Sequence, residues 1–499
     1  MPTLFGDAET RSAVSLRESG AHLYAADPST EILFLCLAVD DGPVDTWRPG
    51  DPPPAPFLAA AADPSNWTVV FDNWTFERPL YEHILIPRFG FPPLPLEVHD
   101  CAERLALANA YPAELGLRAE ALGLPYRKDP AARRAMLSIS RPMKPRGKKK
   151  QTTTPQWDED PAKYALVLER CKLDVITTRA CWNAPQLKHL SEIERGNLLL
   201  DARINDRGVR ADVEFVSAAQ TLSVLERVAT NLKLQELTDG AITSVDQVQR
   251  VLTMVNSHGH RMTSVNKRAV AVVLAGKPDD YVRELLTLRR NGAHASVKKY
   301  QRVLAYAAPG DQRMRGTLRI YGAGPGRWSG LGPQLQNLKR NDSNLPLDLV
   351  EAVRRGDREA LARYGNPLTL LGDLSRAMLC AAPGNVLVSG DLGQIESRVL
   401  AWFAGEQWKL NGYAQFDATG DKSIEIYRVV AHRMLQKTTP VSAITQAERQ
   451  IGKAADLAAG FGGGPGAWRK LVEHETRTDD EIKLIIRQWR EAHPAICRF

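Results

Sequence analysis

Residues 385–406 read NVLVSGDLGQIESRVLAWFAGE, and this stretch decides how the second half of the chain is understood. Val386, Leu387 and Val388 form a short apolar run bounded by turn residues, the pattern of a buried strand. Asp391 stands just past its end, where α/β folds place reactive groups. A helix is expected to follow, with Gln394, Glu396 and Arg398 near its start and the apolar residues 399–403 facing a core. A helix-capping aspartate beside a solvated glutamate accounts for the same letters without any chemistry.

Downstream, residues 445–468 read TQAERQIGKAADLAAGFGGGPGAW. Thr445 with Glu448 three residues on predicts a capping box, and the glycines from 460 to 464 end the helix. Arg449, Lys453, Leu457 and Phe461 recur at i+4, so all four are expected on one face. Two cations followed by two apolar groups make a graded surface, suited to a triphosphate at one end and a base and sugar at the other. A packing helix with a basic edge is the plainer alternative.

Upstream, residues 321–340 read YGAGPGRWSGLGPQLQNLKR, where five glycines demand an irregular backbone. Arg327 is followed nine residues later by Gln336 and Asn337. An arginine fork with side-chain amides suits hydrogen-bond acceptors shared by all base pairs in a groove. The preceding region, 187–308, is mostly helical, with breaks at 206–208 and 257–260, and carries Lys298 and Lys299 among many cations.

The N-terminal part alternates strand-like runs (31–39, 66–71) with helical ones (101–110, 162–181) and predicts an α/β domain. On its first strand Asp7 and Glu9 lie two residues apart and share a face. Paired carboxylates repel unless a positive charge lies between them, and hard divalent cations commonly supply it; solvated acids near a terminus are the alternative. Asn73-Trp74-Thr75-Phe76-Glu77 and Asp174, on the helical run 166–180, add to the set. Asp100, in the pair His99-Asp100, reads as a helix cap. The basic cluster Lys144, Arg146, Lys148, Lys149 and Lys150 reads as an exposed loop, solvated or tracking a phosphate backbone.

The 499-residue length suggests about three domains. The net charge of +7, from 65 basic and 58 acidic residues, admits nucleic acid without arguing for it. No apolar run approaches the roughly 18 residues of a membrane span. Acidic residues arrive too early for a signal or transit peptide. Six cysteines without C-x-x-C spacing suit a reducing cytoplasm and exclude a zinc finger.

In order and spacing these motifs resemble the family A, DNA polymerase I-type DNA polymerases, especially their phage-like branch. D-A-E-T-R-S, N-x-x-F-E and C-K-x-D-V are similar to the three motifs of the family's proofreading 3′–5′ exonuclease, and 123–145 also resembles that branch. R-x8-Q-N, D-x-x-Q-I-E-x-R and the helix at 445–462 resemble the polymerase motifs. The fold implied is α/β plus α. It comprises a ribonuclease H-like exonuclease domain (1–185), a helical thumb (186–310), the first part of a palm (311–410) and incomplete fingers (411–499).

The resemblance implies magnesium held in a two-metal exonuclease site by Asp7, Glu9 and Asp174, with Glu77 ligating less tightly. Arg170 occupies the position where the family usually has a water-orienting Tyr. It further implies magnesium on Asp391, triphosphate neutralisation by Arg449 and Lys453, and nucleotide contacts from Gln394, Glu396, Leu457 and Phe461. Glu396 would block a ribose 2′-hydroxyl. Phe461 replaces the usual Tyr, Leu457 a frequent aromatic residue, and Gly393 a Ser. Primer-template DNA would be met by Arg327, Gln336, Asn337, Lys298 and Lys299.

The activity implied is template-directed deoxynucleotidyl transfer in DNA replication, in the cytoplasm of a bacterial cell or a phage-infected host. The second palm carboxylate, part of a His-Asp-Glu motif in the family, does not occur in the C-terminal region. The chain alone is therefore expected to polymerise weakly. It would be a polymerase fragment, one half of a split polymerase completed by a second chain, a stand-alone 3′–5′ exonuclease, or a non-catalytic DNA-binding remnant.

Overall fold

A computed structural model describes residues 1–126, 129–143, 155–293, 297–339, 345–472 and 475–499, in two compact units, Met1–Val386 and Leu387–Phe499. The basic cluster from Lys144 to Lys150 lies outside the described residues. Among the described residues no helix is long and apolar enough to cross a membrane.

In the first unit β1 (Thr3–Arg11), β2 (Glu31–Val39), β3 (Asp45–Trp47), β4 (Thr68–Phe71) and β5 (His99–Cys101) form one sheet, ordered β3-β2-β1-β4-β5. β1 runs antiparallel to β2 and parallel to β4. Alternation sorts the side chains onto two faces: Leu4, Leu35, Val69 and Phe71 enter one core, Phe5, Phe34, Cys36 and Val70 the other. The helix Pro161–Trp182 closes the second core through Val167, Cys171 and Val175, an i+4 series. The helix Glu192–Arg207 adds Leu198 and Ala202 to the first.

The rest of this unit is largely helical, with the expected break at Gly208, a helix end at φ 64°. The helix Val213–Leu237 serves two further cores. Phe215 and Leu222 pack with Tyr300 and Val303, whereas Leu234 packs with Val251, Val255 and Leu285. The glycine-rich stretch forms a hairpin between Leu318–Arg319 and Ser329–Gly330. It is tied to the helix Glu192–Arg207 by Trp328 Nε1 donating to Asp201 Oδ1 at 2.7 Å, and by Tyr321 donating to Glu194.

The second unit is helical around Ile426, Val430, Trp468, Ile482 and Trp489. Its helices Ile426–Met434 and Gln446–Ala459 cross at Gly452, where a Cβ would lie 2.5 Å from the Tyr427 carbonyl oxygen. Glycine inside a helix costs about 1 kcal/mol, and the close crossing explains its use here. On the same buried face Asp456 forms an ion pair with Lys409. It also accepts from Ser397 Oγ at 2.6 Å and Trp489 Nε1 at 3.1 Å.

Three sequence expectations are corrected. Residues 385–389 form no strand: Val386, Leu387 and Val388 are 82%, 63% and 91% exposed. No described strand lies beside them to share hydrogen bonds, and an apolar run cannot form a ladder alone. In the helix Ile395–Ala404 only Ser397 and Ala401 are buried, while Val399, Trp402 and Phe403 are exposed. Apolar residues at five consecutive positions surround a helix, so one packed face cannot hide them all. Asp100 lies within β5, and Cys101 precedes the helix Ala102–Ala108; the Asp100 carboxylate accepts the Cys101 N–H at 2.8 Å.

Candidate active sites

The first site follows from the pleat. Phe5, Asp7 and Glu9 alternate onto the face covered by the helix Pro161–Trp182, which presents Asp174. Asp7, Glu9 and Asp174 each offer a carboxylate oxygen within 4.8 Å of the others. They converge as the sequence anticipates. Glu77 lies outside this trio but lines the same cavity of about 740 Å³ with Asp7 and Asp174, at the first turn of the helix Trp74–Leu80. It is buried, and its Oε2 has no partner among the described residues.

Crowding sets the electrostatics. Burial first, then the charges of Asp174 and Glu9, push the Asp7 carboxyl well up. Burial raises Glu9 to about 7, against the pull of Arg170 and with the charge of Asp174. Glu77 is raised by burial and by Asp7. Carboxyls held this far above their ordinary range lack positive charge, and an all-oxygen donor set fits a hard divalent cation.

Arg170 supplies part of the missing charge, its Nε 3.4 Å from Asp174 Oδ2. The hydroxyl absent from position 170 arrives from elsewhere: Tyr126 donates to Asp174 Oδ1 at 3.0 Å. Sequence reading also missed Asp72. It continues the alternation of Val70 onto this face, lines the cavity, and is raised to about 6 by burial. Its partner is the fully buried Arg118. The alternation was visible in the sequence. Tyr126 lies on a loop within the stretch 123–145 that resembles the phage-like branch, whereas Arg118 lies on a short helix that nothing in the sequence marks.

The polymerase-like motifs divide between the units. In the first, Gln336 and Asn337 are exposed on a turn that opens at Gln334, whose φ is 52°. Lys298 is exposed at the start of the helix Lys298–Tyr306. Lys299 is turned inward, donating to the carbonyls of Pro333 at 3.2 Å and Gln334 at 2.9 Å. Arg327 lies on the exposed tip of the hairpin.

In the second unit the capping box forms, with Glu448 N–H donating to Thr445 Oγ1 at 3.2 Å and Thr445 N–H donating to Glu448 Oε2 at 2.9 Å. Arg449, Lys453 and Leu457 follow along the helix Gln446–Ala459. Phe461 stands past its end, 66% exposed, so the shared helical face stops at Leu457. The glycines around Phe461 terminate the helix before that turn. Gln394, with φ 59°, opens the helix that carries Glu396. Gln394 and Arg449 are brought together by Glu425, which accepts from Gln394 Nε2 at 2.6 Å and from Arg449 Nε at 3.0 Å. The Arg449 guanidinium also lies over the Tyr427 ring, 5.6 Å from its centroid. Burial, with the charges of Asp456, Glu425 and Glu396, pushes the Tyr427 phenol up to about 12. Asp391 is exposed on the segment before this cluster.

No protein-family model matches the chain. The DNA polymerase of Bacillus phage SP02 is 31% identical over 507 aligned residues, covering 100% of this chain and 75% of that protein. The chain belongs to the family A DNA polymerases. Among solved structures this polymerase is similar to the POL domain of Pol1 from M. smegmatis, described in complex with DNA primer-template and dNTP. That match has a TM-score of 0.57 and 14% identity, covering 100% of this chain and 73% of that one, and it speaks to the fold alone.

Proposed function

We propose that the polymerase transfers deoxynucleotides to a DNA primer through residues of its second unit and trims 3′ ends at the carboxylate cavity of its first. The observation carrying the first part is the similarity to a phage DNA polymerase along the whole chain. In this reading Arg449 and Lys453 bind the triphosphate, and Gln394, Glu396, Leu457 and Phe461 surround the sugar and base. Asp391 would hold a catalytic magnesium. Arg327, Gln336, Asn337 and Lys298 hold the primer-template. The parts are an exonuclease-like domain (1–185), a thumb (186–310), the first part of a palm (311–410) and fingers (411–499).

The convergence of Asp7, Glu9 and Asp174 supports the exonuclease reading, with Glu77 and Asp72 beside them. The mixed sheet with a core on each face supports a ribonuclease H-like fold. Magnesium bound by these acids supplies Lewis-acid chemistry, activating an oxygen nucleophile and stabilising the leaving oxygen. Tyr126 and Arg170 orient Asp174 from opposite carboxylate oxygens.

Two assays with magnesium test this. Weak primer extension is expected from the wild-type chain and lost in Asp391→Ala; extension that survives the substitution removes Asp391 from the site, and its complete absence from the wild type sinks the polymerase reading of this chain. Shortening of a 5′-labelled single strand is expected from the wild type and lost in Asp7→Ala. A wild-type chain that leaves the strand intact removes the exonuclease.

A further inference from the structure

We propose that Glu425 is a positioning residue for the incoming nucleotide, holding the Arg449 guanidinium in the orientation that receives a triphosphate. This rests on the reading of Arg449 as a triphosphate ligand. Glu425 immediately precedes the helix Ile426–Met434, and its side chain is 10% exposed. Both its oxygens are used. Oε2 accepts from Arg449 Nε at 3.0 Å, and Oε1 accepts from Arg449 Nη2 at 3.2 Å and from Gln394 Nε2 at 2.6 Å.

A guanidinium has five N–H donors in a rigid plane. A carboxylate across the Nε–Nη2 edge engages two of them and fixes the plane, leaving three to point away from Glu425. The Tyr427 ring, 5.6 Å from the Arg449 guanidinium carbon, restrains it through a face. An arginine held on an edge and a face has lost its rotamer freedom before the ligand arrives, and that cost is removed from binding. Glu425 also ties Arg449 to Gln394, three residues after Asp391, so the cation and the turn that follows the aspartate share one anchor.

The alternative role for a carboxylate beside a phosphate-binding arginine is competition, in which Glu425 must be displaced. The two roles predict opposite signs. In steady-state primer extension with the full chain, Glu425→Gln is expected to raise the KM for dNTP about tenfold, equivalent to about 1.4 kcal/mol. The smaller effect falls on kcat, with affinity for primer-template and the thermal midpoint unchanged. Glu425→Asp restores part of the loss. Combining Glu425→Gln with Arg449→Lys, which lacks the fork, is expected to add less than the sum of the single effects. An unchanged or lowered KM in Glu425→Gln overturns the inference. So does a parallel loss of DNA affinity, which marks a merely structural role. A silent wild type, or an Arg449→Ala chain with unchanged KM, overturns the underlying reading and this inference with it.

Discussion

Arg170 sits against Glu9, Asp174 and Asp7, where its positive charge partly offsets theirs. Tyr126 reaches Asp174 from the other side, so Tyr126→Phe removes one donor without removing a ligand. Nuclease rate is expected to fall by about tenfold, as for a lost orienting hydrogen bond of about 1.4 kcal/mol, with magnesium affinity nearly unchanged. A rate equal to wild type in a gel-based trimming assay removes Tyr126 from the mechanism. The raised Glu9 gives a second expectation. Its folded value near 7 exceeds its ordinary 4.5, so its contribution to stability is complete below 4.5 and lost as pH rises through 7. Without divalent cations the thermal midpoint should fall between pH 5 and pH 8, and less so in Glu9→Gln. Magnesium should restore the wild type at pH 8. At this scale Asp7 and Glu9 were legible because strand alternation is local, whereas Glu77 and Asp174, on helices, were legible through the motifs they share with the family. The contacts of Arg118, Tyr126 and Glu425 were not, because each depends on how distant elements pack.

The helix Gln446–Ala459 was legible as an element, since its capping box and terminal glycines are local signals. Thr445→Ala is expected to cost about 1 kcal/mol, measured as a shift of the urea midpoint. Its interior is a different matter. Asp456 reads as one more polar residue on an amphipathic helix, yet it pairs with Lys409 at a site from which water is excluded. Lys409→Met leaves that carboxylate uncompensated and is expected to destabilise by about 3–5 kcal/mol. A tryptophan-fluorescence unfolding curve within 1 kcal/mol of wild type, on the order of a surface change, contradicts this. The apolar run of the helix Ile395–Ala404 predicts a buried face that the packing does not form. Hydrophobicity alone does not say which side of a helix meets the core.

Across the whole molecule, the sequence motifs pointed to both candidate sites but did not place the division at Val386. Composition predicts a strand there, whereas a strand needs a neighbour that composition does not supply. Residues 385–392 lack regular structure, and their leucines are exposed. Brief chymotrypsin treatment is therefore expected to cut first after Leu387 or Leu392, giving fragments close to the two units; first cuts within either core contradict that division.

The inward turn of Lys299 also changes what salt can do to this protein. A lysine whose ammonium serves two carbonyls releases no cation from DNA. Lys299→Met should leave the dependence of log affinity on log salt unaltered, while loosening the turn that presents Gln336 and Asn337. Its exposed neighbour should behave oppositely, Lys298→Met lowering that slope by about 0.9. Adjacent lysines would thus divide two tasks, one counted by ions and the other by the shape of the groove.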